Sequence, residues 1–336
     1  MFFINRLPQR FGLRAAAVHA TYQYADEKAY SFGKRHRLRQ AQGWHIDPPS
    51  YFQDGHFLTI AGDSLALDAQ YTRAELAVWR GKVNRGTGAR GANGIDLHFS
   101  MEAVQRERLR DAFALAVALN RTLVLPEMTC FCDRYWWLTH ACRMPGAESM
   151  PLPIACPLDH LYMIGNWYEA KLNFREAGFL TNPKVPRALA SSRSRLRFGP
   201  APPQGAPPPR PDDGQPSPSD IRLPVGLTLE AARDALAAAA AASASPPPRV
   251  LEIDARDLAS FCGFADARRR DALEISLTGA FAISVSVCGE EDNVLPTQNW
   301  DPRAMPLNCT VGYRHPTPMA AAVKLRPACA AAAPAT

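Results

Sequence analysis

Near its start, the chain carries residue types that can hold a diphosphate bound to a metal ion. His19 lies in the stretch 18–24 (VHATYQY), which has the composition of a short β-strand. A neutral imidazole is a common ligand of divalent cations. A basic cluster follows and contains Gly33, Lys34, Arg35 and Arg37. Glycine lets the backbone approach an oxygen closely, and the cations neutralise phosphate charge. The pattern fits a metal–diphosphate clamp, and it also fits a strand-end histidine before a solvated basic turn.

A second pair of candidate residues lies near the middle of the chain. Asp159 and His160 place an acid beside an imidazole directly after Cys156-Pro157. Such a pair can transfer protons or bind a ligand. The alternative is structural, with Asp159 capping the helix that follows and His160 packing against it.

Four cysteines of the same region have three open interpretations. They are Cys130, Cys132, Cys142 and Cys156. A zinc site is one interpretation, although the spacing differs from the usual paired knuckles. A disulfide from the Cys130/Cys132 pair to Cys156 is the second, and it requires an oxidising compartment. Free buried thiols are the third.

The composition argues against nucleic acid or a membrane span in this chain. A net charge of +6 is small for 336 residues, and its main concentration is the stretch 33–39. No helix-turn-helix, zinc-finger or RNA-binding pattern accompanies it. No run reaches about 18 apolar residues, so no transmembrane helix is predicted, and Met1–Ile4 is too short for a signal peptide.

Alternating helical and strand patterns predict an α/β fold. Ser100 is a potential helix N-cap, and apolar residues recur at helical spacing from there to Asn120. Thr122–Leu125 and Val250–Ile253 are short apolar runs typical of buried strands. The other predicted elements are strands at 16–22 and 282–287, and helices at 34–44, 72–82, 228–242 and 258–272.

Several motifs in one order resemble the second half of the nucleotide-diphospho-sugar transferase domain of plant and algal family-77 glycosyltransferases, above all the extensin arabinosyltransferases. The resemblance covers residues 1–60 and 95–183 well and residues 249–310 faintly. The motifs are FFINRLP at 2–8, VHATYQY at 18–24, GKRHRLRQA at 33–41, DPP at 47–49, HF at 98–99, LNRTLVLP at 119–126 and CPLDH at 156–160.

This resemblance implies a GT-A type enzyme that uses a nucleotide sugar and Mn2+. In such enzymes an early Asp-x-Asp pair and a late histidine hold the metal, and by position His19 is the implied late ligand. The implied nucleotide-sugar and diphosphate-binding residues are Gly33, Lys34, Arg35, Arg37 and Asn5. The printed sequence has no Asp-x-Asp, and Glu252-Ile253-Asp254 reads as an ordinary strand end. We therefore expect this chain to be a C-terminal half that transfers sugar poorly by itself.

The same resemblance implies the partners and the location. The expected donor is a nucleoside-diphosphate sugar, such as UDP-arabinofuranose, and the expected acceptor is a hydroxyproline-rich cell-wall glycoprotein. The relatives are Golgi type II membrane proteins, so we expect the Golgi lumen, with membrane attachment only through an N-terminal anchor missing from this chain. The competing hypothesis is a non-catalytic protein that binds phosphate or a nucleotide sugar, or an interaction protein.

The predicted organisation is the late half of a GT-A type, Rossmann-like domain followed by a second α/β domain. A proline- and alanine-rich insertion has too few large apolar residues to order itself, and we expect disorder at about 190–225. The predicted divisions are the GT-A part at 1–60, a connecting helix and glycine-rich loop at 61–94, the second domain at 95–186 and 249–312, the insertion at 187–248 and a disordered tail at 313–336.

Overall fold

The computed structural model describes residues 17–19, 30–61, 92–130, 153–158, 161–162, 164–199, 220–242, 248–281 and 324–327. In the helix that starts at residue 92, side chains are described from residue 101 onward. Several predictions lie outside the described residues. These are the helix at 72–82, the strand at 282–287, and the candidate residues Asn5, Asp159 and His160.

The described strands form a six-stranded parallel sheet and a separate antiparallel pair. Their bounds are β1 Phe57–Ala61, β2 Thr122–Val124, β3 Met128–Cys130, β4 Ile154–Cys156, β5 Phe174–Arg175, β6 Arg193–Phe198, β7 Ile221–Leu223 and β8 Val250–Asp254. The order in the large sheet is β5-β2-β1-β8-β6-β7, with every pairing parallel. β3 and β4 form the antiparallel pair. The predicted α/β class, with a Rossmann-like parallel sheet, is confirmed.

The described helices cover both faces of the sheet. Their bounds are α1 Tyr30–Gln40, α2 Pro49–Gln53, α3 Ala92–Ala118, α4 Ile164–Glu169, α5 Arg187–Ser191, α6 Leu229–Ala242 and α7 Ala267–Ala280, with short 3₁₀ turns at Phe179–Thr181 and Asp257–Ala259. The helices predicted at 34–44 and 228–242 correspond to α1 and α6. The predicted strands at 122–125 and 250–253 correspond to β2 and β8.

The central strands bury side chains on both faces of the sheet. One face carries Leu58 and Ile60 of β1 beside Leu251 and Ile253 of β8, and it packs in the main core. The opposite face carries a second, smaller cluster made of Phe52, Phe57, Val124, Phe179, Leu180, Val185, Leu189 and Val250. Burial on two sides is why these strands read as short continuous apolar runs rather than as alternating ones.

Arg121 fixes the amino-terminal edge of the sheet. Its guanidinium donates hydrogen bonds to the carbonyl oxygens of Phe57 at 3.0 Å, Pro248 at 3.0 Å and Arg249 at 3.2 Å. Burial lowers the pKa of Arg121 to about 10. One side chain thus satisfies carbonyls at the starts of β1 and β8 while its own backbone leads into β2.

The predicted starts of two helices and part of one predicted strand are wrong. α3 begins at Ala92, eight residues before Ser100, because serine costs little inside a helix and a potential cap is not a start. α7 begins at Ala267, since Asp266 accepts from the backbone N–H groups of Arg268 and Arg269 and is the true N-cap. Residues 17–19, predicted as part of a strand, have no regular structure.

Disorder was predicted across about 190–225, and this prediction is wrong for the described residues at both ends of that stretch. β6 and β7 lie there and pair in parallel, and β6 also pairs with β8. Leu196 and Leu223 are fully buried in the main core. A few apolar side chains suffice because the neighbouring strand supplies the backbone hydrogen bonds. β1, which spans residue 60, shares this one sheet with β2, β5, β6, β7 and β8.

The β3–β4 pair is closed by a disulfide between Cys130 and Cys156. This resolves the three interpretations for these two cysteines in favour of the disulfide, whereas Cys132 and Cys142 lie outside the described residues. The pair is also tied to α3, because the buried Gln105 amide donates to the carbonyl of Thr129 and accepts from its N–H, both at 2.9 Å.

Candidate functional site at the carboxyl ends of the strands

On the face of the sheet that carries Phe57 and Val250, the half nearer the carboxyl ends of β1 and β8 bears polar side chains. In the register of the sheet, Thr59 of β1 lies beside Glu252 of β8, which lies beside Arg195 of β6. One step further along, Ala61 is level with Asp254. Within the sheet, β2 and β5 lie on one side of β1, and β8, β6 and β7 lie on its other side. The connection that follows β1 therefore leads away from the half of the sheet that contains β8. Ligands of open parallel sheets bind at carboxyl ends where connections diverge in this way.

A cavity of about 520 Å³ opens beside this polar face. Its floor is formed by the ends of β1 and β2, and its walls by the β3–β4 pair and the loop at 178–181. The lining residues are Thr59, Ile60, Val124, Leu125, Pro126, Glu127, Thr129, Ala155, Gly178, Leu180, Thr181 and Arg193. Its volume lies within the range of roughly 300–1,000 Å³ that is usual for small-molecule sites.

Two arginines of β6 share one carboxylate at the rim of the cavity. Arg195 donates to Oε1 of Glu252 from Nε at 3.2 Å and from Nη2 at 3.0 Å. Arg193 reaches Oε2 of Glu252 only from Nη1, at 3.5 Å. The two arginine side chains are 42% and 45% exposed, and Glu252 is 17% exposed. Glu252 is therefore held mainly by Arg195. Arg193, whose Nε donates to the Ala190 carbonyl at 2.9 Å, is the basic residue among the described residues that line the cavity.

The Glu252-Ile253-Asp254 sequence is an ordinary strand end, as predicted. Asp254 accepts from Nε and Nη2 of Arg256, and these hydrogen bonds lower the pKa of Asp254. Burial, and then the charge of Asp254, raise the pKa of Asp257. In the part of the chain that the structure describes, no three His, Cys, Asp or Glu side chains converge as a metal site.

A polar network around the buried carboxylate of Glu176 supports the loop that walls the cavity. The Tyr51 hydroxyl donates to Oε2 of Glu176 at 2.6 Å, and the loop at 178–181 follows Glu176 directly. Burial raises the pKa of Glu176, although the Tyr51 hydrogen bond partly opposes this. The guanidinium groups of Arg39 and Arg175 lie 4.4 and 4.1 Å from the centre of the Tyr51 ring. The network fixes the end of β5, from which the wall emerges.

The predicted clamp residues lie on α1, and none of them lines the cavity. Gly33 and Arg37 are buried, and Lys34 and Arg35 are half-buried. The Arg35 guanidinium lies 5.2 Å from the rings of both Phe32 and Tyr168. None of the described residues of α1 lines the cavity. A helix distributes consecutive cations around its axis, so the four residues do not form one exposed basic surface.

Between the predicted cations, His36 is fully enclosed. Its ring packs 5.9 Å from that of Phe174. Burial, with the charges of Arg39 and Arg37, lowers the pKa of His36 to about 3. On the same helix, Arg39 forms an ion pair with Asp47. Through His36 and Phe174, α1 packs at the β5 edge of the sheet.

The other predicted ligand, His19, is exposed in the short described segment 17–19. Residues 20–29, which connect His19 to α1, lie outside the described residues, so the role of His19 as a metal ligand stays a prediction. The sequence did not predict Thr59, Glu127, Thr181 and Arg193 as residues of a common cavity. Of these four, only Arg193 lies in a pattern that indicates its position, because RSRLRF at 193–198 alternates arginine with other residues at the period of a strand.

The fold is that of an α/β protein with a parallel sheet, and a candidate small-molecule cavity lies beside the carboxyl ends of β1 and β2. The chain is similar to Arabinosyltransferase XEG113 of Arabidopsis thaliana, with 31% identity over 203 residues, which cover 57% of this chain and 27% of that protein. The chain thus spans about a quarter of that relative's length. This similarity confirms the resemblance seen in the motifs. No family model and no solved structure matches the chain.

Proposed function

We propose that the protein acts in glycosyl transfer of the arabinosyltransferase type. The observation that carries the proposal is the 31% identity with Arabinosyltransferase XEG113 over 203 residues. The proposed donor is a nucleoside-diphosphate sugar, UDP-arabinofuranose in the first place, and the proposed acceptor is a hydroxyproline-rich cell-wall glycoprotein. A polar cavity at the carboxyl edge of a parallel sheet supports this, since such edges bind small molecules.

The proposed location is the Golgi lumen. The Cys130–Cys156 disulfide supports an oxidising compartment. None of the described helices is long and apolar enough to cross a membrane.

Mn2+ and its ligand enter the proposal through the family resemblance. His19 is the residue proposed to bind the metal, and Lys34 with Arg35 or Arg37 is proposed to pair with the diphosphate. Bound Mn2+ would neutralise charge on the departing diphosphate. The described residues do not by themselves assemble a metal site around His19, so no step of the reaction is assigned to it.

A transfer assay tests the function. The purified chain is incubated with UDP-arabinofuranose, Mn2+ and an arabinosylated hydroxyproline peptide, and pentose addition is read by mass spectrometry. We expect donor binding with slow transfer, because no Asp-x-Asp is present. Donor binding with no transfer at all would favour the non-catalytic alternative. Absence of both binding and transfer would contradict both hypotheses.

A calorimetric experiment tests the clamp. UDP affinity is measured with and without Mn2+ for Lys34→Ala, His19→Ala and the double variant. A charge-assisted hydrogen bond in a partly enclosed site contributes about 1.5–3 kcal/mol. We expect each single variant to lose about that much in the presence of Mn2+, with non-additive effects in the double variant. Arg233→Ala, at an exposed cation on α6, controls for net charge. Equal losses in Lys34→Ala and Arg233→Ala would rule out a clamp.

A further inference from the structure

The segment 324–327 lies near the end of the chain and docks on two helices that are remote from it in sequence. Leu325 is buried in the main core, and its backbone N–H donates to Oε1 of Glu274 in α7 at 2.9 Å. Nε of Arg326 donates to Oδ2 of the buried Asp111 in α3, also at 2.9 Å. The segment is therefore part of the packed fold, although the sequence around it is rich in alanine.

Gly263 receives the end of this segment in a backbone contact. The Gly263 N–H donates to the carbonyl oxygen of Pro327 at 3.0 Å. A Cβ on residue 263 would overlap the carbonyl oxygen of Arg326, so no larger residue fits there without a shift of the backbone. Such close approach of two backbones is a typical use of glycine. The contact brings the neighbours of Gly263 and of Pro327 close together.

Cys262, the buried residue directly before Gly263, is disulfide-bonded. Cys130 and Cys156 are bonded to each other, so the partner of Cys262 lies outside the described residues. The candidates that the sequence offers are Cys132, Cys142, Cys288, Cys309 and Cys329.

Cys329 is the candidate that a described hydrogen bond brings within reach. It follows Pro327 by two residues, a step of chain that covers at most about 7 Å. The Cα atoms of a disulfide lie about 4.4–6.8 Å apart. Because Pro327 is hydrogen-bonded to the residue after Cys262, Cys329 can meet this separation while the segment stays docked.

We propose that Cys262 is bonded to Cys329 and that this disulfide fastens the C-terminal segment to the fold. Formation of the bond joins the two thiol sulfurs and passes two protons and two electrons to a disulfide oxidant, which is reduced to a dithiol. An oxidising compartment is required, and the Cys130–Cys156 disulfide also needs one. The closed loop contains α7 and the docked segment. The pairing is independent of the proposed function.

Peptide mapping of the full chain tests the pairing. The unreduced protein is alkylated, digested with trypsin and read by mass spectrometry. We expect peptide 257–268, which contains Cys262, to be joined to peptide 325–336, which contains Cys329. The second peptide stays whole because trypsin does not cut before proline. Reduction should separate the two peptides.

The same digest contains its own control. The peptides that contain Cys130 and Cys156 should also be joined, which shows that pairing survived the digestion. An unbonded Cys262 would overturn the proposal. So would its bonding to any of the other candidates, which are Cys132, Cys142, Cys288 and Cys309.

Hydrogen exchange tests whether the bond fastens the segment. Exchange of the Leu325 and Gly263 N–H groups is followed by NMR in Cys329→Ala. We expect it to become roughly 10-fold faster or more, because docking loses a covalent tether. Cys309→Ala is the matched control and should change these rates by less than about 2-fold.

Unchanged exchange in Cys329→Ala would mean that Leu325 and Arg326 hold the segment by themselves, and it would reject the fastening role. Equal acceleration in Cys309→Ala would also reject that role, since loss of any cysteine would then have the same effect. The mapping uses the unaltered protein, so the pairing is tested even where Cys329→Ala does not fold. Neither measurement depends on sugar transfer.

Discussion

Removal of the Cys130–Cys156 disulfide tests whether the β3–β4 pair is a covalently closed wall of the cavity. The two cysteines are separated by 26 residues. For a loop of that length, the chain-entropy relation gives about 3.5 kcal/mol of stabilisation at 25 °C. The stabilisation arises because the cross-link lowers the conformational entropy of the unfolded chain. Thr129 and Ala155 of the cavity wall are adjacent to the two cysteines, so the bond also constrains the site.

The experiment compares Cys130→Ala, Cys156→Ala and the double variant by urea denaturation. Each single variant already breaks the bond, so we expect each to lose about 3.5 kcal/mol and the double variant to lose about the same amount. The interaction energy of the double-mutant cycle is then as large as the loss of stability in either single variant.

Two outcomes would refute this reasoning. Additive losses in the double variant would mean that the cysteines contribute as separate buried side chains, which is the packing interpretation. A loss below about 1 kcal/mol would mean that Gln105 and the strand hydrogen bonds hold the wall without the covalent link.

Three further predictions concern buried polar groups. The pKa of His36 is lowered to about 3 in the folded protein, so its contribution to stability is complete above pH 6.5 and is lost as the pH falls from 6.5 toward 3. In urea denaturation, the free energy of unfolding should therefore rise with pH in this range by up to about 1.4 kcal/mol per pH unit. His36→Leu should flatten this slope, and His45→Gln, at an exposed site, should not. Arg121→Met removes the guanidinium hydrogen bonds to the carbonyls of Phe57, Pro248 and Arg249, of which the Arg249 carbonyl still accepts from the N–H of Phe57. It should cost about 2–4 kcal/mol by the same method, with only partial recovery in Arg121→Lys. A cost below about 1 kcal/mol would show that water replaces the guanidinium. Tyr51→Phe removes the hydroxyl that donates to buried Glu176 and should cost about 1–3 kcal/mol, and adding Glu176→Gln should restore part of it; no recovery would contradict the assigned hydrogen bond.

The sequence alone was sufficient for the class of fold and for the elements whose signal is local. Apolar runs marked β2 and β8, and alanine-rich periodicity marked α6, because strand burial and helix propensity act within a few residues. The motifs also sufficed for the resemblance to arabinosyltransferases that the comparison bore out. Helix starts were less predictable, since Ser100 is an acceptable cap and yet lies inside α3, and α7 begins after Asp266 rather than at the predicted residue 258.

Tertiary structure alone decided which residues meet. Strand β6 lies between proline-rich and polar segments, and its order depends on hydrogen bonds from β8, which is more than fifty residues away. The cavity brings Thr59 and Glu127 together with Thr181 and Arg193, which come from a later part of the chain. The cations at 34–37 are adjacent in sequence, and the helix separates them around its axis. The sequence determined the local periodicity of burial, while long-range strand pairing determined the site, because the energy that places those side chains comes from neighbours remote in sequence.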